Sequence, residues 1–114
     1  MNYDIKANKH VKYFYLNKVL HREDGPAIEY VSGTKEWYMN GKLHRENGPA
    51  IEYADGTKCW YKNGKLHRED GPAVQGISGY KEWHLNGKLY SYNSKFTNES
   101  WKSFVKHVNT IIFS

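Results

Sequence analysis

The chain has 114 residues, 16% of them aromatic, and a formal net charge of +5, which is typical of one domain with a modest, aromatic core. Cys59 is its single cysteine, which excludes an internal disulfide and a thiolate metal cluster, and we expect no cofactor. No apolar run approaches the roughly 20 residues of a membrane helix, and the first residues have no apolar signal segment. We therefore expect a cytoplasmic protein without a membrane partner.

A segment that recurs every 23 residues dominates the sequence. Its fullest copy is Asn-Gly-Lys-Leu-His-Arg-Glu-Asn-Gly-Pro-Ala at residues 40–50. The histidines fall at positions 21, 44 and 67, the prolines at 26, 49 and 72, and the tryptophans at 37, 60 and 83. A fixed period of this length is typical of stacked repeat architectures.

We treat residues 1–114 as a single domain and divide it by this period. The divisions are an N-terminal arm at 1–13, three repeats at 14–36, 37–59 and 60–82, and a partial repeat at 83–90. Residues 1–10 lack periodicity and fit either a loose arm or an edge strand. Phe14 takes the place of the repeat tryptophan, as expected for an atypical terminal repeat.

Each repeat is predicted to be β-structure. Residues 50–53 and 57–62 carry β-branched and aromatic side chains on either side of Asp55-Gly56, which is a hairpin signal. A second turn is predicted at the recurring Asn-Gly, and the proline-containing segment after it is predicted to be a returning connection with its leucine pointing inward. The expected fold is mainly β, an elongated antiparallel β-hairpin repeat with about two strands per repeat. Its predicted core consists of Trp37, Trp60, Trp83, Leu20, Leu43, Leu66, Pro26, Pro49 and Pro72.

The pattern changes after residue 90, and a C-terminal helix is predicted over residues 96–112. Thr97 and Asn98 are the alternative N-caps. Apolar side chains then follow at helical spacing, at Trp101, Phe104, Val105, Val108 and Ile112. We predict that this stripe caps the last repeat and covers a sheet edge; the alternative is a docking helix for a partner.

The repeats resemble a known family over residues 11–90. The period, the Asn-Gly-Lys-x-His segment and the Asp-Gly turn resemble MORN-type repeats, although the usual His-Gly-x-Gly connection is replaced by His-Arg-Glu-Asp/Asn-Gly-Pro-Ala. The chain is more similar to a MORN-like group with Leu-His-Arg-x-x-Gly-Pro-Ala units and a Trp-Tyr-x-Asn-Gly strand. That group is abundant in tailed phages and large DNA viruses, and bacterial relatives are labelled antitoxins. The resemblance implies a β-hairpin repeat fold but not an activity.

The repeated His-Arg-Glu triplet suggests a metal site or catalysis, and spacing argues against both. Equivalent residues such as His44 and His67 are expected two strands apart, about 10 Å, whereas metal ligands lie roughly 2.0–2.2 Å from one ion. A ladder of identical triplets does not supply the unlike groups of one catalytic site. We predict no enzyme and a structural role for the triplet, with Arg paired to Glu and His bonded to backbone, and ligand binding as the main alternative.

A binding role would use the basic edge that the triplets form, where Arg and Lys recur near aromatic side chains. Each Arg is followed by Glu, which neutralises much of that charge. The residues predicted to contact a ligand or partner are His21, Arg22, Lys42, His44, Arg45, Lys65, His67, Arg68, Tyr38, Tyr61 and His84.

Two functions follow from this pattern. The first is a non-catalytic repeat scaffold that binds and inhibits another protein, of the host or a cognate one; with the resemblance added, it is a phage-encoded anti-defence or antitoxin-like factor. The alternative is a binder of a nucleotide or nucleic acid through the basic edge. The sequence leaves a monomer and a homodimer equally open.

Overall fold

Antiparallel strands make up most of the molecule because β-branched and aromatic residues alternate with polar ones over short stretches. The computed structural model describes residues 1–93 and 95–113, with side chains as far as residue 111. The strands are β1 Asp4–Ala7, β2 Val11–Leu16, β3 Val19–Leu20, β4 Ile28–Tyr30, β5 Lys35–Glu36, β6 Tyr38–Met39, β7 Lys42–Leu43, β8 Ile51–Glu52, β9 Lys58–Cys59, β10 Tyr61–Lys62, β11 Lys65–Leu66, β12 Val74–Gln75, β13 Lys81–Leu85 and β14 Lys88–Tyr92. A 3-10 turn spans Ile77–Gly79, and α1 spans Asn98–Phe113.

Ten of these strands form one sheet in the order β1-β2-β4-β5-β8-β9-β12-β13-β14, with β3 beside β2. The pairs β6–β7 and β10–β11 form two small separate sheets. All strand pairs recorded are antiparallel. The prediction of a mainly β fold with antiparallel hairpins and a C-terminal helix is therefore confirmed. The edge-strand alternative for residues 1–10 is also the observed one, since β1 pairs with β2.

The strand predicted over residues 57–62 is broken at Trp60. The Trp60 N–H donates to the Ala73 carbonyl at 2.7 Å, and the Trp60 carbonyl accepts from the His67 N–H at 3.0 Å. The chain thus changes bonding partners at this residue and passes from the large sheet into the small one. The predicted connection also contains a strand, because Leu66 in β11 pairs with Tyr61.

Consecutive copies of the repeat are joined at the Asn-Gly turns. Asn40 and Gly41 both have positive φ, 52° and 80°, the conformation for which Asn-Gly is favoured in tight hairpins. The Gly41 N–H donates to the Leu20 carbonyl at 2.8 Å. The equivalent bonds run from Gly64 to Leu43 and from Gly87 to Leu66, both at 2.8 Å. Each turn is therefore bonded to the leucine of the preceding copy.

The sheet is essentially a single layer with two different faces. The molecule measures 45 × 36 × 18 Å, with a radius of gyration of 15.7 Å, against about 13 Å for a compact domain of this length. Residues paired across antiparallel strands project to the same face. We call one face the tyrosine face; its cross-strand row is Tyr13, Ile28, Glu36, Ile51, Cys59, Val74, Glu82 and Tyr92. We call the other the lysine face; its row is Lys12, Glu29, Lys35, Glu52, Lys58, Gln75 and Lys81.

The C-terminal helix packs on the last hairpin, β13–β14. Trp83, Leu85, Trp101 and Val105 form a buried cluster there, and the helix side chains Phe104 and Val108 are partly buried against it. The indole N–H of Trp101 also donates to the Arg68 carbonyl at 2.8 Å. The apolar stripe predicted for the helix is therefore in contact with the sheet; the side chain of Ile112, the last residue of that stripe, lies outside the described part.

Thr97 is the N-cap, rather than the alternative Asn98, which is the first helical residue. The Ser100 N–H donates to Thr97 Oγ1 at 3.1 Å, and the Thr97 N–H donates to Ser100 Oγ at 2.9 Å. This reciprocal pair satisfies amides at the start of the helix in the manner of a capping box.

The remaining predicted core residues differ in burial. Trp83 is fully buried, whereas Trp37 and Trp60 are half-buried. The three leucines Leu20, Leu43 and Leu66 are half-buried, as is Pro26, while Pro49 and Pro72 are buried. A single-layer sheet leaves one side of most large central side chains near solvent, and the largest fully buried side chains, Trp83 and Trp101, lie where the helix adds a second layer.

We predict that Trp101→Ala destabilises the fold by about 3–5 kcal/mol, because it leaves a large cavity where the helix covers the sheet. Urea unfolding followed by tryptophan fluorescence and circular dichroism measures this loss. The adjacent exposed residue supplies the control, and Lys102→Ala is expected to change stability little. A loss below about 1 kcal/mol for Trp101→Ala would contradict the packing role of the helix.

Candidate functional site

Each arginine of the repeated segment lies over an aromatic ring. The pairs are Arg22 with Phe14, Arg45 with Trp37, and Arg68 with Trp60, each with 3.8 Å from the guanidinium carbon to the ring centroid. A cation over an aromatic face is attracted by the ring quadrupole. Phe14 thus occupies the tryptophan place in space, as the sequence comparison between copies predicts.

The guanidinium of Arg68 is held on its other sides as well. It donates from Nη1 to the Pro72 carbonyl at 3.2 Å and to Gln75 Oε1 at 2.9 Å, and from Nε to Asp70 Oδ1 at 2.9 Å. Gly71 closes the remaining side, because a Cβ at that position would lie only 2.7 Å from the guanidinium carbon. The Gly-Pro dipeptide of the repeat therefore packs closely against the arginine: the glycine leaves room for the guanidinium, and the proline carbonyl accepts its hydrogen bond.

The other two copies repeat much of this arrangement, with a glutamate in the place of Gln75. Arg22 donates to the Pro26 carbonyl and to Glu29 and Asp24, and its bond lowers the pKa of Asp24 below the ordinary value. Arg45 donates to the Pro49 carbonyl and to Glu52. The arginine side chains are 18–29% exposed. In the predicted basic edge, the arginines are thus engaged within the chain, while Lys42 and Lys65 are exposed.

The repeat histidines join neighbouring copies. Nδ1 of His44 accepts from the Asn63 backbone N–H at 3.0 Å, and Nε2 lies 2.7 Å from Glu46 Oε1. The backbone donor assigns the lone pair to Nδ1 and the hydrogen to Nε2, which is a neutral imidazole. His21 and His67 make the same contacts with Asn40 and Glu23, and with Asn86 and Glu69. The bond to His44, followed by the charge of Lys62, lowers the pKa of Glu46.

Shallow grooves lie between the copies beside these triplets. The groove around Trp60 has a volume of about 560 Å³, and its lining includes Arg45, Lys62 and Arg68. Glu46, Glu69 and Asp70 line it too, so the charges of opposite sign balance. Within the described residues, no group of three or more His, Cys, Asp or Glu side chains is placed to hold a metal ion.

The tyrosine face extends across the large sheet from β2 to β14. One tyrosine series follows the 23-residue period at Tyr15, Tyr38 and Tyr61, with His84 at the fourth place. A second series contains Tyr30 and Tyr53, with Gly76 at the third place.

The gap left by Gly76 is filled in space. A Cβ at Gly76 would lie 3.0 Å from the Tyr80 Cβ and 3.2 Å from its ring, so the ring of Tyr80 packs over the glycine. The tyrosine face thus stays aromatic where the repeat itself lacks a tyrosine.

Two carboxylates of the tyrosine face accept hydrogen bonds from tyrosine hydroxyls. The Tyr38 hydroxyl donates to Glu36 Oε1 at 3.0 Å, and burial together with the Glu36 charge raises the pKa of Tyr38 to about 12. At the other end of the row, Glu82 accepts from the Tyr80 hydroxyl and lies 2.8 Å from His84 Nε2. His84 therefore makes the contact with Glu82 that Tyr38 makes with Glu36, and its Nδ1 is buried without a partner among the described residues.

Cys59 occupies the row position between the two carboxylates, at the place that Glu36 and Glu82 hold in their copies. It is buried, with 8% of its surface exposed. Burial, and secondarily the charge of Glu82, raises the pKa of its thiol to about 11. Since the thiolate is the nucleophilic form, this cysteine is poorly reactive near neutral pH.

Part of this face is predictable from the sequence. The residues predicted to contact a ligand or partner include Tyr38, Tyr61 and His84, but not Tyr13, Tyr15, Tyr30, Tyr53, Tyr80 and Tyr92. The 23-residue period marks three of them, since Tyr15 lies 23 residues before Tyr38, and Tyr30 lies 23 residues before Tyr53. Tyr30 and Tyr53 each follow by two residues an isoleucine that pairs with Glu36. Tyr80 had no such signal, because its place depends on the fold of the turn after Gly76.

Comparison of the chain with protein-family models, with curated proteins and with solved structures found no match in any of the three. In the part of the chain that the structure describes, α1 is too short and too polar to cross a bilayer.

We predict that Gly71→Ala destabilises the protein by on the order of 1–2 kcal/mol, because the added methyl displaces the guanidinium from the Trp60 ring. The same substitution in an Arg68→Ala background should then cost far less, since the methyl fills vacated space. Urea unfolding of the two single variants and the double variant measures this coupling. Additive losses would contradict a glycine shaped around the arginine.

We also predict that the Cys59 thiol of the folded protein reacts much more slowly with iodoacetamide at pH 7–8 than the thiol of the urea-unfolded chain. Its pKa of about 11 leaves almost no thiolate, and its burial blocks the reagent. Mass spectrometry of the alkylated protein over time gives both rates. Equal rates in the two states would show that the thiol is accessible and that its pKa is not raised.

Proposed function

We propose that this protein is a non-catalytic repeat scaffold that binds another protein through its tyrosine face. The observation that carries the proposal is the placement of eight tyrosines on one side of a single-layer sheet. Three of them are well exposed, Tyr53 and Tyr80 at 43% and Tyr92 at 63%. Tyrosine combines a large apolar ring with a polar tip, and it is enriched where proteins bind proteins.

The chemistry of the face supports binding rather than catalysis. Glu36 and Glu82 accept hydrogen bonds from the tyrosines around them, which orients the rings. The intervening Cys59 is protonated at neutral pH, and so it does not serve as a nucleophile. A rigid row of oriented rings loses little conformational entropy on binding, which favours its use as an interface.

The family resemblance supports a narrower form of the proposal. The arginine, histidine and Asn-Gly contacts recur at 23-residue intervals, as expected for an elongated MORN-like hairpin repeat. Together with the Leu-His-Arg-x-x-Gly-Pro-Ala units, this recurrence supports our proposal that the protein is a phage-encoded inhibitor or an antitoxin-like factor. Such a factor would act in the cytoplasm of the host cell by covering a surface of a host or cognate protein.

The rival function, a binder of a nucleotide or nucleic acid, would use the basic edge. The engagement of Arg22, Arg45 and Arg68 with acids and carbonyls of the chain argues against it, because phosphate binding would have to replace those contacts.

We predict that Tyr53→Arg abolishes capture of the protein partner while Lys58→Glu does not. The two residues are exposed at the centre of the sheet, on opposite faces, so they form a matched pair. Tagged wild-type protein and both variants are incubated with bacterial lysate, and the eluates are compared by mass spectrometry and by nucleotide analysis. Circular dichroism and thermal unfolding check that both variants fold.

The expected result is a protein bound in stoichiometric amount by the wild type and by Lys58→Glu, and absent with Tyr53→Arg. Loss of capture only with Lys58→Glu would place the binding surface on the lysine face. Eluates containing only nucleotides or RNA, with affinity that falls steeply with salt, would overturn the proposal in favour of the basic edge.

A further inference from the structure

The sheet ends at β1, and within the described residues no strand lies beyond it. All four residues of β1 are exposed. An uncovered strand edge presents unpaired amide and carbonyl groups that can bond to another strand. The identity of those outward groups follows from the bonds of β2.

On β2, the even-numbered residues bond away from β1. Phe14 donates its N–H to the Ala27 carbonyl at 2.8 Å, and the His10 carbonyl accepts from the Val31 N–H at 2.8 Å. Because backbone groups alternate in direction along a strand, the odd-numbered residues of β2 bond to β1.

In the register of β1 with β2, those odd-numbered residues are Tyr13 and Tyr15, which face Lys6 and Asp4. The backbone groups of Lys6 and Asp4 are therefore used inside the sheet. The N–H and C=O groups of Ile5 and Ala7 point outward.

We propose that β1 pairs with β1 of a second copy of this chain, antiparallel, with Ile5 opposite Ile5 of the second copy. The outward groups of Ile5 then form the two reciprocal hydrogen bonds of a hydrogen-bonded pair on the two-fold axis. The Ile5 side chain, 52% exposed in the single chain, meets its equivalent across the axis. The two ten-stranded sheets become one continuous sheet.

Charge selects this partner and this register. With Ile5 on the axis, Asp4 of each copy faces Lys6 of the other. Both pairs are at non-hydrogen-bonded positions, where side chains of antiparallel strands approach most closely. Moving the axis to Asp4 would place two aspartates opposite each other, and moving it to Lys6 would place two lysines opposite each other. The sequence Asp-Ile-Lys is thus self-complementary about its central residue.

The contact is short, so the dimer is expected to be weak and reversible. Four-residue strands bury less than the roughly 1,200 Å² of a stable interface. A two-fold contact uses β1 of both copies and is closed, so association stops at the dimer. This edge contact leaves the tyrosine face open in both copies.

Sedimentation velocity over a wide range of protein concentration tests the proposal with charge variants of β1. Asp4→Lys and Lys6→Asp each bring like charges together, and each is expected to stay monomeric where the wild type is dimeric. The double swap Asp4→Lys/Lys6→Asp restores opposite charges about the same axis and is expected to dimerise again. Thermal unfolding confirms that all variants fold.

Ile5→Pro is a second, independent variant. It removes the outward N–H at the axis without removing a bond between β1 and β2, and it is expected to abolish the dimer. A wild type that remains monomeric at all concentrations would overturn the proposal. The proposal would also be overturned if the single charge variants associated as strongly as the wild type. Masses that rise beyond the dimer would overturn it as well, because they indicate head-to-tail pairing of β1 with β14.

Discussion

The structure depends on an arginine held between an aromatic ring and a glycine. In the copy around Arg68, the guanidinium lies 3.8 Å from the Trp60 ring centroid, and Gly71 is the residue that leaves room for it. A single-layer sheet cannot bury its tryptophans under another sheet, so a flat cation with its own hydrogen-bond partners covers them instead. Such stacks contribute about 0.5–2 kcal/mol each, and three in a row stabilise a protein with little conventional core.

At the end of the repeat array, the tryptophan ring is covered by other aromatic side chains instead of an arginine. In the last copy, Ser91 stands where the arginine would be, so the ring of Trp83 has no guanidinium from its own copy. Trp101 and Phe96 lie 5.5 Å from that ring instead, and Trp83 is fully buried. The C-terminal helix therefore takes over the arginine's role, which explains why the array can stop there without exposing a tryptophan face.

The sequence predicts the secondary structure of this protein better than it predicts the contacts between distant residues. The 23-residue period and the Asn-Gly turns predict antiparallel hairpins, and the apolar spacing from Trp101 to Val108 predicts the helix. The break at Trp60 was not predictable from propensity, since residues 57–62 read as one strand and only the competing partners Ala73 and His67 divide it. The stack of arginine on tryptophan was missed for a related reason: the two residues are eight positions apart, and their contact requires the intervening turn.

The two faces of the sheet differ in how their charges are satisfied, and this difference is why we propose binding through the tyrosine face rather than through the basic residues. On the lysine face, lysine and glutamate alternate across strands from Lys12 to Lys58, so each charge has an opposite neighbour. The arginines of the repeat are likewise bonded within the chain. On the tyrosine face, the only charges in the row are Glu36 and Glu82, and both orient the rings beside them. A surface whose charges are satisfied internally gains little from a charged ligand, whereas exposed, oriented rings gain apolar contact area when another protein covers them.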